Sequence, residues 1–147
     1  MSKTKGTIIC YSAGILFGVG WWFLIGTSIV GSNFDGSVVA PPGEFYVPGI
    51  VATIALVMIN MVSWENLNGS VFSDGATTKA RLWLFFWLAL LFGAVIACFW
   101  IAFDANIWKP DNVEPFNKAA LIIHGLLILF SCLLYRFARD GGSEDGF

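Results

Sequence analysis

The side chains able to do chemistry here are few and scattered. His124 is the only imidazole, Cys10, Cys98 and Cys132 are the only thiols, and ten carboxylates lie outside the apolar stretches. A structural or catalytic metal needs three or four converging ligands, and no CxxC or second histidine supplies them. A nucleophile with its base and orienting group cannot be assembled from these residues either. There is no Gly-rich phosphate loop and no basic nucleic-acid surface. No catalytic, cofactor-binding or metal residue is assigned, and a non-enzymatic protein is expected.

Two polar groups inside the apolar stretches still need partners. Asn60 carries an amide that hydrocarbon cannot satisfy, so it is expected to bond a neighbouring helix; such bonds average about 0.6 kcal/mol. His124 falls at a similar level to Asp104 from the preceding stretch. An Asp104–His124 pair would titrate as a compartment acidifies to about pH 5–6, whereas a histidine bonded to backbone or water would not sense Asp104. Cys10 and Cys132 lie near the segment ends expected to face the cytosol. Each is read as a buried structural thiol or as an S-acylation site.

The elements that carry these groups are four apolar runs, roughly 8–30, 47–64, 82–103 and 119–135, none containing Lys, Arg, Asp or Glu. About 20 apolar residues in a helix cross a hydrocarbon core of about 30 Å. The chain is 57% hydrophobic and 12% charged, with mean hydropathy +0.76, which excludes a soluble domain. The expected fold is an all-α integral membrane protein, a single four-helix transmembrane bundle over residues 1–147. Trp64, Trp83 and Trp108 fall at segment ends, where indoles favour the headgroup level. Trp21, Trp22, Trp87 and Trp100 fall inside segments, as packing or lipid-facing residues.

Charge sets the orientation. Lys3, Lys5, Lys79, Arg81, Arg136 and Arg139 fall on one side of such a bundle, and Lys109 and Lys118 on the other. This excess predicts cytosolic N- and C-termini. The first run is long for a signal-peptide core and lacks a small-residue cleavage site, so it is read as a retained helix. Loop 31–46 holds Pro41-Pro42-Gly43 and reads as irregular, and loop 65–80 is polar and Gly/Ser-rich. Asn68-Gly69-Ser70 matches a glycosylation sequon but would face the cytosol. The tail from about residue 140 is Gly-rich and acidic, and is expected to be disordered.

Helices in lipid meet through close packing, so small residues at four-residue spacing mark contact faces. Gly14 and Gly18 form one such face on the first helix, and Ala89, Gly93 and Ala97 form another on the third. Gly49, Thr53, Asn60 and Ser63 form a polar stripe on the second. These faces predict that helices one, two and three bury their stripes together, or that one stripe receives a partner protein.

Several strings resemble the transmembrane protein 50 family, whose fungal branch includes vacuolar protein sorting protein 68. They are Gly14-Ile15-Leu16-Phe17 through Gly20-Trp21-Trp22, Gly49 to Ala55 with Met58-Ile59-Asn60 and Ser63, Ala80 to Phe85, and Arg136-Phe137-Ala138-Arg139. Gly26 stands where the family often has an acidic residue, and Asp104 where animal relatives tend to have glycine. The resemblance implies a four-pass protein of the endosome, Golgi or vacuolar membrane system. It further implies a role in late-endosome-to-vacuole or lysosome sorting beside a second small four-pass protein, vacuolar protein sorting protein 55, and no enzyme activity or cofactor. A pore-forming or lipid-handling membrane component is the alternative.

Overall fold

The computed structural model describes residues 3–33, 43–63, 67, 74–104 and 115–140. Four helices account for nearly all of them: α1 (Lys3–Asn33), α2 (Val47–Met61), α3 (Asp74–Phe103) and α4 (Pro115–Asp140). A single 3₁₀ turn, Gly43–Phe45, leads into α2. All four are long and apolar enough to cross a membrane.

Three helices run past the apolar limits read from sequence. Hydropathy marks where hydrocarbon ends, whereas an α-helix keeps satisfying its own backbone into the headgroup zone. Thus α1 begins at Lys3, α3 begins at Asp74 and α4 spans Pro115–Asp140. Pro115 and Pro48 sit in first turns, where the missing N–H costs nothing. The second helix is instead shorter than expected. It stops at Met61 and the chain turns extended at Val62 (φ −79°, ψ 123°), so Ser63 lies beyond the helix. Fifteen residues rise only about 22 Å. The 3₁₀ turn makes up the difference, giving a 19-residue apolar stretch from Gly43 to Met61.

The helices run up, down, up, down. Ser131 on α4 donates to Ala13 O on α1, and His124 meets Gly20 O, so α1 and α4 are antiparallel. Arg136 and Arg139 of α4 reach the C-terminal end of α2, which makes those two parallel. Both described chain ends therefore lie at one end of the bundle. The helical residues Lys3, Lys5, Lys79, Arg81, Arg136 and Arg139 fall at that end, together with Asp74 and Asp140 at the ends of α3 and α4.

The centre is α4, which packs against the other three helices, while α1 makes its extensive contact with α4. The expectation that helices one, two and three bury their small-residue stripes together is therefore corrected. The seam of α1 is Ala13, Phe17, Gly20, Leu24 and Thr27, at alternating spacings of four and three, with Phe17 half-buried. Gly14 and Gly18 are one residue off that seam, about 100° round the helix. Both are exposed, and a Cβ on either would meet no atom within 4 Å. On α3 the seam is Leu91, Ala94, Val95, Cys98 and Ala102, and Ala89 and Gly93 again lie outside it. The outer surface carries large apolar groups: Trp22 is 76% exposed, Phe103 76% and Phe85 71%. Only hydrocarbon makes that surface tolerable.

Candidate functional site

Three glycines mark where the backbones meet. A Cβ on Gly20 would lie 3.3 Å from Leu127 Cβ, on Gly125 3.0 Å from Cys98 Sγ, and on Gly49 2.5 Å from His124 Nε2. They admit α1 onto α4, α4 onto α3 and α2 onto α4 in turn. Gly49 belongs to the polar stripe read from sequence. Gly20 and Gly125 were not singled out as contact points; a lone glycine in an otherwise Leu- and Ile-rich helix such as α4 was the available signal.

Around Gly49 the buried polar groups form a layer. His124 is fully buried, and its Nδ1 lies 2.9 Å from Gly20 O. A carbonyl only accepts, so Nδ1 carries the ring proton. Nε2 has no hydrogen-bond partner and faces Gly49. Trp21 stands edge-on to the imidazole, with ring centroids 5.1 Å apart and an interplanar angle of 76°. The indole N–H of Trp21 donates to Thr53 Oγ1 at 3.1 Å, and Thr53 donates onward to Gly49 O at 2.8 Å. One histidine thus joins α1, α2 and α4.

This placement corrects the Asp104–His124 pair. His124 faces Gly20, Trp21 and Gly49. Asp104 sits just past the end of α3, on an outward cleft of about 560 Å³ shared with Ile96, Phe99, Trp100 and Phe103. The face of α3 that meets α4 runs instead through Cys98, opposite Gly125. Asp104 lies six residues beyond Cys98, about 9 Å further along the axis.

Asn60 bonds within its own helix and across to the next. Its Nδ2 donates to Leu56 O at 2.8 Å and approaches Cys132 Sγ at 3.9 Å on α4. Cys98 and Cys132 are buried free thiols, and Cys10 is half-buried. Among the described residues no three His, Cys, Asp or Glu side chains gather as a metal set.

The C-terminal end of α2 is finished by its neighbours. The last carbonyls of a helix have no partner within it. Here Arg136 donates to Ile59 O and Val62 O, Arg139 to Asn60 O, and Trp83 to Met58 O. Arg81 donates twice to Leu67 O. These cations therefore do structural work at this end of the bundle.

Two faces remain uncovered. Gly14 and Gly18 open one on α1. Ala89, Gly93 and Ala97 floor a groove of about 380 Å³ between α3 and α2, walled by Val51 and Phe86.

Residues 1–146 match the family described as Uncharacterised protein family (UPF0220). The Transmembrane protein 50 homolog of Dictyostelium discoideum is 34% identical over 149 residues, covering 95% of this chain and 94% of that protein. This chain belongs to the transmembrane protein 50 family. No solved structure matches it. The strings that carry the family resemblance fall on the contacts above. Gly20-Trp21 and Gly49 with Thr53 build the histidine layer, Asn60 meets Cys132, and Arg81, Trp83, Arg136 and Arg139 hold backbone carbonyls at the end that carries the termini.

Proposed function

We propose that this chain is a non-enzymatic trafficking subunit of the endosome, Golgi or vacuolar membrane system, allied to the fungal branch of the family. It acts in late-endosome-to-vacuole or lysosome sorting by pairing a helix face with a second small four-pass protein resembling vacuolar protein sorting protein 55. Both termini face the cytosol, following the positive-inside rule.

The observation that carries this reading is the division of the small residues. Gly20, Gly49 and Gly125 are used up inside the bundle, where any side chain would strike a neighbouring helix. Gly14, Gly18 and Gly93 have open space above them. A glycine inside a helix gives up about 1 kcal/mol of propensity relative to alanine. In lipid, small residues recover such a loss through close approach of another helix. The open glycine faces on α1 and α3 therefore suit a helix from outside the chain.

Purification in gentle detergent, with identification of whatever stays bound, tests the proposal. A stable complex with a second small four-pass protein is expected. A homo-oligomer that conducts ions in liposomes would overturn it in favour of a pore, and the side chains of Leu121 and Ile128 already fill the centre of the single bundle.

A further inference from the structure

His124 lies against the uncapped end of α2. Gly49 belongs to the first turn of that helix, and Nε2 lies 2.5 Å from where a Gly49 Cβ would stand. The first N–H groups of a helix have no partner within it and carry partial positive charge. Tyr46, at the N-cap, gives them no side-chain bond, and Pro48 has no N–H. Two backbone bonds of 3.1 Å, Tyr46 N to Gly43 O and Ile50 N to Tyr46 O, tie this turn to the 3₁₀ turn before it.

The neutral ring suits this place and the protonated ring does not. With its proton on Nδ1, held by Gly20 O, the imidazole turns a bare lone pair toward the positive end of α2. A second proton, on Nε2, would need an acceptor, and Nε2 is enclosed without one. The oxygens of the layer are engaged: Thr53 donates to Gly49 O and accepts from Trp21. A buried cation lacking an acceptor at a helix N-terminus is opposed both by lost hydration and by the dipole.

The described neighbours of the ring are uncharged. On α1 they are Gly20 and Trp21, with Leu24 beside Gly49, and on α2 Gly49 and Thr53. On α3, Cys98 stands opposite Gly125, and thiols ionise mainly above about pH 8. Three described charged residues share this end of the bundle. Glu44 is exposed, Asp104 lies on the outward cleft, and Lys118 precedes His124 by six residues, about 120° round α4.

We propose that His124 is an acid-operated latch. Neutral, it holds the first turn of α2 against α1 and α4. Protonated, it releases that turn and the 3₁₀ turn at the end opposite the termini. Phe45, buried beside Leu24, Cys98 and Leu121, lifts out with them. The released ring meets water, where an imidazole titrates near pH 6.5. Only the open form takes up the proton, so the closed form is favoured most above about pH 6.5 and loses about tenfold per unit below it. The setting, a compartment that acidifies, rests on the trafficking reading. The latch belongs to the single chain, so its test stands or falls apart from partner recovery.

Hydrogen exchange of the purified full chain in mild detergent, read as protection factors at pH 7.5 and 5.0, tests the latch. Residues 43–53 are expected to lose about thirtyfold in protection at pH 5.0, while residues 54–61 and α3 keep theirs. His124→Asn retains a donor for Gly20 O and has no proton to gain, so its protection should not depend on pH. Ring resonances read the same event without a substitution at the ring. Imidazolium signals are expected as protection falls, equally in wild type and Asp104→Asn. Unchanged protection over residues 43–53 in wild type would overturn the latch. So would an equal loss across all four helices, or a full pH response in folded His124→Asn.

Discussion

His124 is fixed from three directions: Gly20 O accepts its Nδ1 proton, Trp21 stands against its edge, and Gly49 leaves room for Nε2. Gly49→Ala puts a methyl 2.5 Å from Nε2, and the ring cannot swing away without losing Gly20. Overpacking of this kind costs about 1–3 kcal/mol. The variant is expected to unfold correspondingly earlier in a detergent titration, and His124→Ala in the same chain should recover part of the loss as a coupling energy. Asp104→Asn, by contrast, is expected to leave the His124 ring resonances unchanged across about pH 5–7.5 in an NMR titration, because the ring faces α1 and α2. The polar stripe of α2 was legible because Gly49, Thr53 and Asn60 stand out in an apolar run. The Asp104 pairing was misread for a physical reason. Hydropathy starts the fourth apolar run near Ala119, whereas the helix begins at Pro115, and hydropathy carries no azimuth.

At the scale of the helix, phase matters as much as composition. The existence and order of four membrane helices followed from their uncharged length. Their pairing did not, because a small-residue stripe shows where a helix permits close approach and leaves open which neighbour takes it. Gly18 and Gly20 are two residues apart, yet one faces open space and the other Leu127. Gly20→Leu is expected to destabilise the bundle by about 1–3 kcal/mol through overpacking against α4. Gly18→Leu should leave the melting temperature at or above that of wild type. The end of α2 gives a second test. Arg136→Ala removes the donor from Ile59 O and Val62 O, bonds of a charged kind worth about 1.5–3 kcal/mol. Faster amide hydrogen exchange over the last turn of α2 is expected. Equal exchange in both proteins would show that the arginine caps nothing.

The molecule places its one histidine, Asn60 and two of its three thiols inside. It turns glycine, alanine and large aromatic faces outward. The open faces on α1 and α3 are where a membrane partner would gain most by close approach. The direct test is recovery of a second small four-pass protein, with cargo sorting measured in the same cells, for wild type, Gly18→Leu and Gly93→Leu. Both substitutions project into open space, so the fold should survive them. At least one is expected to lower recovery about tenfold and impair sorting while the protein stays folded. Full recovery and normal sorting in both folded variants would contradict the claim that these faces are the functional surface.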